Sequence, residues 1–293
     1  MPAAPSTVSA TARDMRAEAL HWLTEPDPSA KVAGVRAAWL AWSAAGWPQP
    51  RWLDPDGALT PPPGRPLPGR PSRPRLVDPA EVPARSPFTP EGHAALAHAI
   101  AHIEFNAINL ALDAVWRFGG LPADFYRDWW RVAAEEAEHF DLLRQHLATL
   151  PRPDGGRGWA YGDFDAHDGL WTMCARTAGD VVARMALVPR TLEARGLDAT
   201  PPIQAKLRQA GTPQALALAA ILDIILRDEV GHVAIGNRWY GWLCAQHGLE
   251  PLPHFRHLMR QYRAPRPRPP LNTEARQRAG FSAAELAWLQ QAV

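Results

Sequence analysis

Glu136-Ala-Glu-His139 and Glu229-Val-Gly-His232 are the two stretches whose reading decides the fold. Each is a Glu-x-x-His motif, and each has a lone glutamate upstream: Glu104 lies 32 residues before Glu136, and Glu193 lies 36 before Glu229. Residues i and i+3 share a helix face, so a carboxylate and an imidazole at that spacing can reach one ion. A helix with one Glu, a helix with Glu-x-x-His, and the same pair again is the ligand order of a carboxylate-bridged two-metal site inside four helices. The spacing therefore predicts six metal ligands: Glu104, Glu136, His139, Glu193, Glu229 and His232. Carboxylates with imidazoles and no thiolate suit iron, with manganese as the alternative, and argue against a structural zinc site.

The 13 glutamates and 11 histidines give about 0.5 Glu-x-x-His matches by chance, whereas the two-metal pattern needs two. A third match, Glu18-Ala-Leu-His21, has no lone glutamate at hairpin distance before it and is set aside.

Hairpin geometry tests the choice. Residues equally far from the turn of an antiparallel helix pair lie level. Glu104 is 16 residues before Gly120 and Glu136 is 16 after it. Glu193 is 18 before Gly211 and Glu229 is 18 after it. Both pairs are level, provided residues 196–210 continue the helix that carries Glu193. Small and apolar residues flank the ligands: Ala101, Ala107, Ile108 and Ala111 near Glu104, Val132, Ala133 and Leu143 near the first motif, Ile225, Leu226 and Gly236 near the second. A carboxylate on such a face is costly unless it is paired or metal-bound.

The chain has 293 residues, 46% hydrophobic and 21% charged, with net charge +1, so a globular core is expected and bulk charge names no partner. Two cysteines, Cys174 and Cys244, make no disulfide framework, and Cys244 reads as a buried thiol. The N-terminus has no basic-then-apolar signal pattern. The longest apolar run, 215–226, contains Asp223 and is too short to span a bilayer. A cytoplasmic protein without a membrane anchor is the expectation.

The organisation follows from periodicity and breakers. Residues 1–47 form an N-terminal segment, helical over 11–46 by the steps of Leu20, Leu23, Val35, Trp39 and Leu40. Residues 48–89 form a strap: 14 of the 31 prolines lie between 48 and 90, with Arg65, Arg70, Arg73, Arg75 and Arg85 among them. An extended linker is favoured there over a nucleic-acid-binding arm. Residues 90–247 form the four-helix unit. Its helices run from Thr89-Pro90 to Phe118, from Pro122 to Leu150, from Asp168 to Ala194 with a stop at Gly196, and from Thr212-Pro213 to Ala245. A short helix starts at Thr200-Pro201-Pro202. Residues 248–293 form a C-terminal extension that packs on the bundle, with a capping box at Ser282-Ala-Ala-Glu285. No strand is expected.

Long runs carry a family resemblance. HAIAHIEFNAINLALDAVWRF (98–118), FYRDWWRVAAEEAEHFDLL (125–143), AHDGLWTMCARTAGDVVARMALVPRTLEARGLD (166–198) and ILRDEVGHVAIGNRWY (225–240) closely resemble the bacterial ferritin-like family catalogued as domain of unknown function 455, and so does the tail LNTEARQRAGFSAAEL (271–286). The resemblance implies an all-α, ferritin-like four-helix bundle with helical N- and C-terminal additions, and a di-metal site. It implies no particular reaction. Through the ligand pattern alone, the chain also resembles di-iron oxygenases, including the bacterial tRNA-modifying hydroxylase.

Glu135 and Asp228 each precede a ligand glutamate. In such oxygenases an acid at this position hydrogen-bonds the histidine of the opposite helix, fixing its tautomer. The alternative is a surface acid; the bonding role is favoured for Asp228, and the two readings stand even for Glu135. Arg190, three before Glu193, balances the site's charge or forms a surface salt bridge. His102 points to another face as a core or surface histidine. Asp168 is expected to cap a helix. Trp116, Trp129, Trp130, Trp171, Trp239 and Trp242 are expected to pack core and interfaces.

Three functions share these residues. The first is an oxygen-dependent di-iron oxidase or hydroxylase with two iron ions, acting on a small molecule or RNA. It needs an external reductant, because the chain has no nicotinamide or flavin fingerprint and no cysteine cluster. The second is a ferroxidase or iron-storage protein, which would assemble into an oligomer. The third is a non-enzymatic RNA-binding or scaffolding protein, supported by the tail 263–270 and the strap arginines. Aromatic residues for base stacking are not interleaved there.

Overall fold

A computed structural model describes residues 14–46, 57, 59–156 and 158–291. The first three residues of the expected 11–46 helical segment and the start of the strap lie outside the described residues. The described chain is helical with no strand; one isolated bridge pairs Leu76 of the strap with Ala166.

Two helical hairpins dominate. Helix α1 spans Met15–Thr24 and α2 spans Pro28–Ala44. Helices α3 (Pro90–Arg117) and α4 (Ala123–Thr149) form the first large hairpin. Thr89 caps α3 by accepting from the Gly92 amide at 3.1 Å, with Pro90 at the first helical position, where its missing N–H costs nothing. The turn needs a left-handed residue, supplied by Gly120 at φ 70°. Tyr126 locks that turn: its hydroxyl donates to the Phe118 carbonyl at 3.0 Å and accepts from the Leu121 amide at 3.1 Å. Phe105, Ile108, Leu112 and Val115 of α3 and Trp129, Val132, Phe140 and Leu143 of α4 are all buried, and the Phe105 and Phe140 rings lie 5.4 Å apart. Full burial of each such side chain contributes about 1.5–3 kcal/mol.

The third long helix departs from the expected course. It is not one helix from Asp168 to Ala194 with a stop at Gly196. Helix α5 (Gly169–Arg176) ends at Thr177, and α6 (Val181–Leu187) restarts after Asp180, whose side chain accepts from the Ala183 amide at 2.9 Å. A π turn follows over Val188–Glu193. Helix α7 (Ala194–Ala210) then runs through Gly196 and both prolines without a break, so no new helix starts at Thr200. Pro201 and Pro202 lack the N–H groups that the Leu197 and Asp198 carbonyls would receive in a helix. The C-terminal segment stabilises this stretch: Asn272 Nδ2 donates to the Leu197 carbonyl at 3.2 Å, and Arg276 pairs with the Asp198 carboxylate at 2.6 Å. Helix continuity here depends on chain 75 residues downstream.

Gly211, at φ 66°, turns the chain into α8 (Pro213–Gln246), the partner of α7. The two hairpins meet where α4 and α6 pack on α8. Helices α9 (Pro251–Gln261), α10 (Thr273–Arg278) and α11 (Ala283–Gln290) complete the chain. Sequence reading missed α9, although Pro251 at its start and Phe255, Leu258 and Met259 at helical steps were visible in it. Helix α11 carries the expected capping box, with Ser282 N to Glu285 Oε2 at 2.8 Å and Glu285 N to Ser282 Oγ at 3.3 Å.

Helices α1 and α2 pack on α3 and α4. The strap is tied down rather than loose. The Gly69 amide donates to the Leu23 carbonyl at 2.8 Å, and Lys31 Nζ donates to the Gly69 carbonyl at 3.0 Å and to Asn109 of α3. Arg70 pairs with Asp168, Arg75 with Asp165, and Arg85 with Glu91. Helix α3 is long and apolar enough to cross a membrane, yet most of it is buried in the protein.

Candidate metal centre

All six predicted ligands are buried side chains. Glu104 comes from α3, Glu136 and His139 from α4, Glu193 from the last position of the π turn, and Glu229 and His232 from α8. His139 Nδ1 lies 3.2 Å from Glu136 Oε2 and 3.4 Å from Glu104 Oε2. His232 Nδ1 lies 2.8 Å from Glu136 Oε1 and 4.0 Å from Glu229 Oε2. Two triads result, Glu104/Glu136/His139 and Glu136/Glu229/His232, each with donor atoms within 4.8 Å of one another. Glu136 belongs to both, one oxygen toward each histidine. Glu193 belongs to neither triad, although its charge and those of Glu136 and His232 act on each other.

The residues fit a pair of cations. Glu104 Oε2, Glu136 Oε1, both oxygens of Glu193, Glu229 Oε2 and His232 Nδ1 are buried without a hydrogen-bond partner. The short approach of His232 Nδ1 to Glu136 Oε1 is an electrostatic contact without hydrogen-bond alignment. Unsatisfied buried oxygens are costly, and this many at one spot is the arrangement metal ions would complete.

The protonation pattern says the same. Burial first, then the neighbouring Glu136 charge, pushes Glu104 and Glu193 up to about 8. Burial and Glu136 also push Glu229 well up. Burial opposes ionisation of Glu136 too, but His232, Glu104 and His139 outweigh it and hold it well below the usual carboxylate range. His139 and His232 rise despite burial, because carboxylates surround both rings. Without cations, three of the four carboxylates hold their protons to higher pH while Glu136 stays ionised between the two histidines.

Each imidazole is also gripped from behind, and crosswise. His139 of α4 donates through Nε2 to Asp228 Oδ2 of α8 at 3.2 Å. His232 of α8 donates through Nε2 to Glu135 Oε2 of α4 at 2.8 Å. This fixes both tautomers and turns each Nδ1 toward the carboxylates. Arg227 and Arg131 in turn hold Asp228 and Glu135, at 2.8 Å each.

The π turn carries Glu193, and its supports were not legible in the sequence. Thr191 Oγ1 donates to the Ala186 carbonyl five residues back, at 2.7 Å. Gly236 of α8 lets Pro189 approach: a Cβ on Gly236 would lie 2.6 Å from the Pro189 Cβ. Gly236 therefore serves close packing here. Arg190 neither balances the site nor sits on the surface. It is buried, ion-paired with Glu285 of α11, hydrogen-bonded to Asn237 Oδ1 at 2.6 Å, and lies over the rings of Tyr240, Phe255 and Phe281. Asp168 makes no capping bond with its side chain; it pairs with Arg70 at 2.5 Å. His102 is a core histidine, 2.8 Å from the Tyr161 hydroxyl through Nδ1. The motif Glu18–His21 lies on α1, where Glu18 accepts from Trp22 Nε1 at 3.3 Å.

Fold and site define an all-helical protein with buried Glu/His clusters able to hold metal. The chain belongs to the family described as "Protein of unknown function (DUF455)", whose model matches residues 24–287. It is similar to an "Uncharacterized protein" of Haemophilus influenzae, 52% identical over 228 residues, which cover 75% of this chain and 76% of the relative. No solved structure matches it.

Proposed function

We propose that this protein is a ferritin-like, carboxylate-bridged di-iron protein that carries out an oxygen-dependent oxidation or hydroxylation. The observation that carries the reading is Glu136, which turns one carboxylate oxygen to His139 and the other to His232. A bridging carboxylate needs that placement. In this reading α3, α4, the α6–π turn–α7 run and α8 are the four bundle helices. Glu104, Glu136 and His139 would hold one metal and Glu136, Glu229 and His232 the other, with Glu193 as a further donor. Two ferrous ions held there would supply electrons to dioxygen and oxidising power toward a substrate.

The chain's own part is to hold, orient and exclude. Asp228 and Glu135 keep the imidazole Nδ1 lone pairs directed inward. Ala101, Ala107, Ile108, Ala133 and Ile225 are buried and keep bulk water from the carboxylates. Manganese would satisfy the same donors.

The test is a metal count followed by oxygen. The protein purified from iron-replete cells should hold two irons per chain. After ferrous loading it should consume oxygen for about one turnover and resume only with a reductant, as a two-metal redox site requires. Binding of at most one ion per chain at saturating ferrous iron would refute the di-metal reading. Accumulation of many ferric ions per chain in a large assembly would replace it with storage.

A further inference from the structure

A cleft of about 260 Å³ lies between the first half of α3 and the second half of α7, roofed by the strap. Its walls are apolar: Leu96 and Ala99 of α3, Ile203 and Leu207 of α7, Pro87 and Phe88 of the strap. The volume is near the lower end of small-molecule sites, roughly 300–1,000 Å³. Helices α3 and α7 make almost no backbone contact, so the gap between them is not closed by packing. Phe88 is 61% exposed at the roof, and Ile103, one turn beyond Ala99, is 49% exposed.

Both walls lie within a few turns of the candidate metal centre along their helices, and α7 is the wall that leads toward it. In α3 the cleft precedes Glu104 by five residues at Ala99, about 8 Å of helix. In α7 it follows Glu193 by ten residues at Ile203, about 15 Å. The stripe Glu193, Gly196, Thr200, Ile203, Leu207 recurs at three- and four-residue steps, so it shares one face of α7. A Cβ on Gly196 would meet no atom within 4 Å, so there is free space beside α7 one turn after Glu193. Both oxygens of buried Glu193 are unpartnered at the inner end.

Charge distinguishes the outer end. Of the charged residues lining the cleft, Arg85 is paired with Glu91 at 3.0 Å, and Asp165 with Arg75 at 2.6 Å. Lys206 is exposed and has no ion pair among the described residues. A long apolar wall with an uncompensated ammonium at its outer end selects an elongated amphiphile.

We propose that the α3/α7 cleft binds an unbranched alkyl chain with an anionic head, the head at Lys206 and the chain directed along α7 toward Glu193. The binding stands on the cleft alone; the statement that the chain's far end is the reacting end rests on the di-iron reading.

The test uses dodecanoate with the full chain, titrated by calorimetry. One dodecanoate should bind per chain, with dodecyltrimethylammonium at least tenfold weaker. Ala99→Trp and Ile203→Trp, which fill the cleft, should each weaken dodecanoate at least tenfold, and Lys206→Glu about tenfold, while Leu40→Trp on exposed α2 should leave it unchanged. Circular dichroism establishes that each variant folds; should the tryptophan variants not fold, the exposed Lys206→Glu decides. Absence of saturable binding below millimolar dodecanoate, equal binding of the cationic analogue, or binding untouched by Lys206→Glu would overturn the proposal. Metal content is measured on the same samples. Dodecanoate binding without metal would leave the cleft standing and remove the di-iron reading, and two metals without dodecanoate binding would do the reverse.

Discussion

Asp228 Oδ2 on α8 stands 3.2 Å from His139 Nε2 on α4, so an acid beside one Glu-x-x-His motif orients the histidine of the other. Glu135 does the same for His232 in the opposite direction, at 2.8 Å. The two halves of the centre are thus cross-braced, and neither motif is complete on its own helix.

This exchange makes the acids measurable. Asp228→Asn and Glu135→Gln keep size but lose the charge that fixes the imidazole proton. Each is expected to weaken ferrous binding by about 10–100-fold, the usual effect of removing such an outer partner. Competitive titration with a chelator checks it; unchanged affinity in both variants would mean the acids are ordinary surface groups.

Glu136 should differ in kind from the other glutamates. It alone belongs to both triads. Glu136→Ala is expected to abolish binding of both metals, whereas Glu104→Ala and Glu229→Ala should each leave one site occupied at higher free metal. Metal content by mass spectrometry after equilibrium dialysis distinguishes the three. Equal stoichiometry in all of them would show that Glu136 does not bridge.

The C-terminal extension should matter to the π turn. Glu285→Ala removes the partner of buried Arg190, three residues before Glu193. Breaking one side of a buried pair costs about 3–5 kcal/mol. Urea unfolding should show a loss of that order, and ferrous affinity should fall with it because Glu193 loses its footing. A loss below about 1 kcal/mol, the range of exposed pairs, would contradict the burial argument.

Acid should destabilise the fold through histidines that must stay neutral. Burial lowers His93, and it pulls His98 and His146 down to about 4. His98 Nε2 accepts from the Gly162 amide at 2.9 Å and must stay unprotonated, and His93 and His146 face each other through Nε2 at 3.1 Å. At His98 and His146 the unfolded chain takes up protons near pH 6.5 and the folded one near 4, and His93 shifts in the same direction. Stability contributed by these groups is therefore complete above about 6.5 and falls as the pH drops toward 4. His98→Gln should flatten that slope in melts between pH 7 and 4.5; an unchanged slope would show that His98 is not among the groups responsible.

Much was legible because the governing physics is local. Helix starts at Thr89-Pro90 and Thr212-Pro213 follow from a side-chain oxygen and a missing N–H. The glycine turns at Gly120 and Gly211 follow from their positive φ. Equal distances from those turns bring Glu104 level with Glu136 through one short loop.

Other features belonged to contacts between distant segments. The helix passes through Pro201 and Pro202 where Asn272 and Arg276 support it, far outside any local window. Arg190 is buried because Glu285 and Asn237 reach it, although its neighbours in sequence suggested a site or surface charge. The sequence by itself determined which side chains could hold a metal and how the helices holding most of them are capped, since spacing and capping act within a few residues. Only the tertiary structure decided that a π turn, braced through Gly236 and Arg190, brings Glu193 to the core beside Glu136 and His232, because backbone hydrogen bonding at that turn is settled by what packs against it.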